Sequence, residues 1–403
     1  MAAPDAPAAP PRPYDVAVLG ATGFTGALTA IELAGRAPAG LRWALAGRNA
    51  DKLEAVRARI AAAHPGAPVP ELLHADVTDD ASLGELVRAT RVLVTTVGPY
   101  VLHGAGVIAA CAAAGTDYLD LTGEPEFVDR SYVAHHETAT ATGARLVHCC
   151  GFDSIPHDLG VQFTVDQLPE GAPLKVRGYL RAAGRFSGGT FHSAITGFSR
   201  PRQNVAAARA RRRAEGPGPA GRRVAVEEPG TPHRALGAWA VPLPTVDPQV
   251  VGRSARALAR YGPDFRYGHY AAVKHLPVVL GAAAAITGVF AAAQVPPLRR
   301  ALLSRLPVGQ GPSEAQMEAG WFSVRFIGEG GGRRVVTEVR GGDPGYRETS
   351  RMLADAALCL AFDDLPATAG QVTTAVAMGA ALRARLQQSG IGFEVLEQGP
   401  VAA

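Results

Sequence analysis

The 403-residue chain predicts an α/β fold: a parallel sheet doubly wound with helices, followed by an α+β second domain with a mostly antiparallel sheet. Three observations carry this expectation. Short apolar runs alternate with helical stretches from residue 14 to about 150. One of those runs ends in a glycine turn at Gly20, and a helical pattern starts at once. In the second half the habit changes, and paired strand-like runs meet in a glycine-rich hairpin, EGGGR. Strand–helix alternation requires parallel pairing through crossovers, whereas adjacent strands joined by a tight turn pair antiparallel.

Taken in order, strand character falls at 16–20, 42–46, 71–75, 92–97, 118–120 and 145–149, with helical stretches at 26–33, 51–63, 82–88, 106–114 and 131–140. Six strands with right-handed crossovers give a Rossmann-type sheet over 14–155. Residues 1–13, MAAPDAPAAPPRP, are rich in Pro and Ala and lack an apolar stretch of signal-peptide length, so they read as a disordered tail. The second domain is expected over 156–370. It holds a strand at 174–182, a helix from Thr190, a basic stretch, a Pro/Gly-rich segment at 216–248, an apolar helix at 276–295 and paired strands at 321–328 and 334–340. Residues 371–403 form a C-terminal helix and strand expected to pack back on the Rossmann domain.

Hydrophobic residues make up 47 % and charged residues 19 %, so a sizeable core is available. Lys plus Arg total 40 against 36 Asp plus Glu, a net charge of +4 that does not point to nucleic acid. The clustered cations are Arg209, Arg211, Arg212, Arg213, Arg222 and Arg223. They read either as a solvated loop or as a patch for an acidic carrier, a phosphate or a membrane surface. Cys111, Cys149, Cys150 and Cys359 lack zinc-ligand spacing and read as free thiols in a reducing, cytoplasmic setting, with no metal site. The stretch LPVVLGAAAAITGVFAAAQV is uncharged between Lys274 and Arg299. Its length fits a membrane span, but Ala and Gly contribute little to insertion. A buried or interfacial helix and a lid over an apolar pocket are the other readings.

The chemistry starts in YDVAVLGATGFTG. Gly20 permits the tight turn, Gly23 a close approach of backbone to a pyrophosphate, and Gly26 the packing of helix on strand. Thr22, Phe24 and Thr25 lie within this loop, and both threonine hydroxyls are candidate donors. An NAD site places an acid at the end of the second strand. Here the strand ends LAGRN, and Arg48 matches a 2′-phosphate instead, which predicts NADP(H). Asp76, ending the third strand, sits either beside the adenine or in a helix N-cap region. Gly98 and Pro99 break the fourth strand sharply at the crevice where a nicotinamide lies, and Tyr100 follows. The fifth strand brings Asp120 and Glu124 to the same edge, and the sixth brings Asp153, Ser154 and His157. Asp153 and Ser154 are the expected substrate contacts. His157 is either a proton donor or a surface histidine on a first helical turn.

The stretches VLGATGFTG, LAGRN, VGPY, DYLDLTGE, GFDSIPHDLG, GPSEAQMEAGWF, VRGGDPGYRETSRML and VTTAVAMG together resemble the saccharopine dehydrogenase-like oxidoreductase family, in particular the bacterial trans-acting enoyl reductases. The resemblance implies NADPH-dependent reduction of a carbon–carbon double bond on an acyl or polyketide chain attached to a carrier protein or polyketide synthase, in lipid biosynthesis. Tyr100 and His157 are the expected catalytic residues, and loss of a proton donor costs about 10²-fold in turnover. Two other readings stand beside this one: a saccharopine-type amino-acid dehydrogenase, and a non-catalytic NADP-binding, membrane-associated interaction protein. Further expectations are peripheral contact with the inner face of the cell membrane and a homodimer.

Overall fold

Residues 12–184, 188–227, 231–304 and 311–401 are described by the computed structural model. In the first half, strands β1 (Tyr14–Leu19), β2 (Trp43–Gly47), β3 (Glu71–His74), β4 (Thr90–Thr95), β5 (Asp117–Asp120) and β6 (Arg145–Val147) pair in parallel in the order 3-2-1-4-5-6. Helices α1 (Phe24–Arg36), α2 (Ala50–Ala63), α3 (Asp80–Ala89), α4 (Tyr100–Ala114), α5 (Pro125–Thr142) and α6 (Ile155–Asp166) follow these strands in turn. Val16, Val18, Leu45, Val92 and Val94 are buried. A sheet covered on both faces explains why its strands read as continuous apolar runs.

The second sheet contains β7 (Leu174–Ala183), β8 (Arg223–Val226), β9 (His233–Ala235), β10 (Ala238–Pro242), β11 (Asp264–Val273), β12 (Trp321–Gly330) and β13 (Arg333–Gly341). It is mostly antiparallel. The exceptions are β7 with β11 and β8 with β11, which run parallel. Its helices are α7 (Gly188–Phe198), α8 (Pro201–Glu215), α9 (Asp247–Ala257), α10 (Leu276–Gln294), α11 (Pro296–Leu303) and α12 (Glu314–Glu318). Helix α6 leaves the first sheet and lies on the second, where Gly160 is so close to the Phe326 ring that an added Cβ would come within 2.4 Å. Thr164 and Thr337 share a hydroxyl bond of 2.6 Å across that contact.

The chain then returns through α13 (Arg347–Phe362), β14 (Gly370–Val372), α14 (Thr374–Ala377), α15 (Gly379–Gln388) and β15 (Gly392–Pro400). This differs from the expected C-terminal unit. The return begins before residue 371, because α13 already packs on α1 and β4, and β14 adds a seventh parallel strand beside β6. The last strand does not join the first sheet: β15 pairs antiparallel with β13 in the second. Each sheet therefore takes an edge strand from the tail, which ties the two halves together.

Three other expectations change. The tail expected at 1–13 lies outside the described residues except for Arg12 and Pro13, and Arg12 is anchored by donating to the carbonyl of Ala114 (2.5 Å) and to Thr116. Of the clustered cations, Arg209, Arg211, Arg212 and Arg213 lie in helix α8 rather than a loop, and Arg223 opens β8. Arg211 is buried in α8, facing Tyr132 at 4.1 Å and bonded to Glu215, because alanines at helical spacing favour the helix and the acids neutralise the cation. Strand β6 stops at Val147, so Cys149 and Cys150 follow it in a turn where Cys149 has φ of 62°. All four cysteines are buried, free thiols.

Candidate functional site

The glycine turn between β1 and α1 has no room for side chains. Gly20 has φ of 85°, and a Cβ there would come 2.7 Å from Val97. A Cβ on Gly26 would come 2.2 Å from the Gly20 carbonyl oxygen. Gly23 donates its N–H to that same oxygen (2.9 Å) and caps α1, while Thr22 and Gly23 lie exposed. The first N–H groups of a helix have no partner within it, so this end of α1 could hold an anionic diphosphate. Phe24 turns away from the cradle and packs edge-on against Tyr346, 4.9 Å between centroids. The Thr25 carbonyl accepts the hydroxyls of Thr29 (2.9 Å) and Ser350 (3.4 Å).

Arg48 stands exposed just past the end of β2. The nearby carboxylate, Asp76 past β3, does not stand where a ribose-binding acid would. Its Oδ1 accepts the Thr78 N–H (2.9 Å) and hydroxyl (2.8 Å). Those bonds, and more weakly Arg48, hold its carboxyl below the usual range. The N-cap of α3 is Asp79, whose carboxylate accepts the Ala81 N–H at 3.0 Å. A diphosphate cradle and a free-standing guanidinium at the end of β2 together fit a 2′-phosphorylated dinucleotide.

At the carboxyl ends of β4, β5 and β6 the crevice is acidic. Gly98 and Pro99, joined by a cis peptide, bring the chain to Tyr100 at the start of α4. Glu124 accepts the N–H groups of Tyr100 (3.0 Å) and Val101 (2.8 Å) and the Ser193 hydroxyl (2.7 Å), which pins α4 and α7 to one carboxylate. Tyr100 itself is 4 % exposed, donates its hydroxyl to the Thr95 carbonyl (3.1 Å) and stacks on Phe127. Asp120 accepts the Tyr118 hydroxyl (2.8 Å) and the N–H groups of Thr122 and Cys149 (3.1 Å each), and lies 2.7 Å from His148 Nδ1.

Asp153 is partly exposed beside Gly123. Burial, then the charges of Asp247 and Asp120, pushes its carboxyl up to about 7, with His157 opposing. Its neighbour Ser154 is fully buried, so of the two expected substrate contacts only Asp153 reaches solvent. His157 is no surface residue: it is 1 % exposed, with Nδ1 2.7 Å from Asp247 Oδ1 and its ring 4.8 Å from that of His269. Burial works against the charge of Asp247, but His157, then His269 and the Thr245 hydroxyl, outweigh it and hold that carboxyl low. Burial pushes His269 down to about 4, so it is neutral near pH 7, and its Nδ1 lies 3.0 Å from the Tyr267 hydroxyl. No group of metal-ligating side chains occurs among the described residues.

Asp247, His269 and Ser193 join this site without a sequence signal. They come from α9, β11 and α7 of the second domain: α6, packed on the second sheet and on α9, brings Asp247 and His269 to His157, and α8, packed on α5, carries α7 and Ser193 toward Glu124.

Residues 16–147 match the saccharopine dehydrogenase NADP binding domain. The chain is 37 % identical to a Mycobacterium tuberculosis (strain H37Rv) protein named provisionally as a trans-acting enoyl reductase, with 96 % of this chain and 98 % of that one covered. It is 34 % identical to the trans-acting enoyl reductase of Mycobacterium ulcerans (94 % and 97 % covered). Its identity to the rat saccharopine dehydrogenase-like oxidoreductase is 31 % (97 % and 99 % covered). Among solved structures, apo saccharopine dehydrogenase (L-Glu forming) from Saccharomyces cerevisiae shares the fold, with a TM-score of 0.51 at 12 % identity, covering 96 % of this chain and 99 % of that one. With this identity across nearly its whole length, and with a cradle built for a phosphorylated dinucleotide, the chain belongs to the saccharopine dehydrogenase-like oxidoreductase family and is an NADP-dependent oxidoreductase.

Proposed function

We propose that the protein reduces the carbon–carbon double bond of an acyl or polyketide chain held as a thioester on a carrier protein or polyketide synthase. The observation that carries this reading is the sign of the crevice. Asp120 and Glu124 gather there with Asp247 behind them, Asp153 beside them is ionised only in part near pH 7, and the neighbouring Arg200 is held by Glu126 at 2.7 Å. A saccharopine-type substrate carries several carboxylates and would be repelled, whereas an uncharged enoyl chain would not. The names of the mycobacterial relatives agree with the second substrate.

The glycine turn from Gly20 to Gly26, with Thr22 and Thr25, would hold the diphosphate, Arg48 the 2′-phosphate, and Asp76 the adenosine side. Gly98 and Pro99 would border the nicotinamide. When bound there, NADPH would supply the hydride for the β-carbon. Asp153 is the group placed to give a proton to the α-carbon, because its carboxyl is still partly protonated near pH 7 and faces the crevice. His157 acts through Asp247, positioning the second domain against α6. Tyr100 fixes the end of β4 through its bond to Thr95 and acts as a positioning residue.

The test is incubation with NADPH and a panel of enoyl thioesters, following the reduced-nicotinamide absorbance. Oxidation of NADPH with a saturated acyl product supports the reading. Turnover only with saccharopine and NADP would establish the amino-acid dehydrogenase instead, and tight NADPH binding without turnover of any substrate would establish a sensor.

A further inference from the structure

We infer that α10 and α11 form a docking surface that lies on anionic lipid bilayers. Helix α10 carries no charged residue along its 19 positions. An α-helix that is apolar all round is normally buried by its own fold. This one is not. Ile286 is 59 % exposed, Phe290 40 %, Val295 42 % and Leu298 51 %, all on α10, α11 or the single residue that joins them. Against α7, Phe290 meets Phe198 at 5.8 Å and Gln294 donates to the Phe198 carbonyl. Exposed apolar residues scattered singly need no explanation, but a contiguous set does.

Charge chooses the occupant. Between Asp264 and Glu314 the sequence contains no acid, and between Glu170 and Glu215 it contains none either. Those two stretches supply α7, α10, α11 and all of α8 except its last residue. Lys274 and His275 precede α10, and Arg299 and Arg300 lie on α11. A second copy of the chain would bring the same cations against these. An acidic protein would match the charge but leave the exposed Ile286 and Leu298 without hydrocarbon. An anionic bilayer satisfies both features, with apolar side chains below the headgroups and arginines among them. No described helix is long and apolar enough to cross a membrane, so the two helices would lie in the interface. The same α7 that supports α10 also sends Ser193 to Glu124 in the crevice. Passage of an acyl chain from the lipid to the crevice rests on the proposed enoyl reduction, while the binding itself does not.

The experiment is co-sedimentation of the full chain with vesicles of phosphatidylcholine alone, or of phosphatidylcholine with phosphatidylglycerol, at low and high salt. Binding to the anionic vesicles, weakened by salt, is expected. Arg299→Glu with Arg300→Glu should lower the partition at least about 25-fold, at roughly fivefold for each cation lost. Ile286→Glu with Leu298→Glu should lower it about 100-fold. Both variants should keep the wild-type melting temperature and NADPH affinity, since the glutamates replace exposed or surface side chains. The inference is overturned if the chain ignores anionic vesicles, or if both variants bind them as the wild type does. It is also overturned if Ile286→Glu with Leu298→Glu instead converts a dimer to a monomer on gel filtration, or abolishes capture of an acyl carrier protein without changing vesicle binding. A chain that binds vesicles but reduces no enoyl thioester would sink the proposed reaction and leave the docking surface standing.

Discussion

Replacing Asp153 by Asn should stabilise the protein, and by more as the pH rises. The fold holds this carboxyl at about 7 against an ordinary 3.8. A carboxyl raised in the folded state binds its proton more tightly there than in the unfolded chain. Stability is therefore lost as pH climbs from the unfolded value through the folded one, and the loss is complete above it. At about 1.36 kcal/mol for each pH unit of that gap, ionising Asp153 costs the folded form about 1.6 kcal/mol at pH 5 and about 4 kcal/mol at pH 8. Asparagine keeps the shape without the charge. The stability difference between variant and wild type should thus widen by about 2–3 kcal/mol between pH 5 and pH 8. Urea unfolding at both values reads it as a growing separation of midpoints at a common slope. Any fixed effect of the substitution cancels in that comparison. A separation that stays constant with pH would refute the placement of Asp153 among Asp247, Asp120 and Glu124. The same variant should lose about 10²–10⁴-fold in kcat if Asp153 donates the proton, and wild-type kcat should fall above about pH 7 as the donor ionises.

Arg48→Ala should weaken NADPH binding about 10- to 100-fold by calorimetry and leave NADH unchanged, because a charge-assisted contact to the 2′-phosphate is worth about 1.5–3 kcal/mol. Equal loss for both coenzymes would move the 2′-phosphate elsewhere. Gly26→Ala drives a methyl group to 2.2 Å from the Gly20 carbonyl, so α1 must shift off β1. A stability loss of about 2 kcal/mol and a matching loss of NADPH affinity are expected, and normal titration with a normal melt would contradict this geometry. Arg211→Met leaves Asp129 facing Arg253, and Glu215 facing Arg253 and Arg256. A loss of about 3 kcal/mol in urea unfolding is expected, and an unchanged midpoint would show that Arg253 and Arg256 neutralise both acids.

The glycine turn between β1 and α1 was legible in the chain because it is local. A strand, three glycines and a helix start occupy consecutive residues, so their meaning depends on backbone freedom and helix ends within one turn of chain. Arg48 was legible for the same reason, as the residue that follows a recognisable strand. The crevice was only half legible. Asp120, Glu124 and Asp153 follow their strands, and their shared edge is set by parallel topology. The surroundings of His157 were not, since a histidine on a first helical turn reads the same whether water or a second domain covers it.

What the sequence determined alone was therefore the Rossmann order, the hairpin of β12 and β13 and the glycine cradle, all of them products of short-range periodicity. The tertiary structure decided where distant pieces meet. It put β14 beside β6 and β15 beside β13, brought Asp247 and His269 to His157, and buried Arg211 in a helix against Tyr132 and Glu215. It also left most of the described positions of α10 exposed, although its composition suits a buried helix equally well. The reason is the same in each case: apolar periodicity says that a face must be covered, but only the packing of the whole chain says by what.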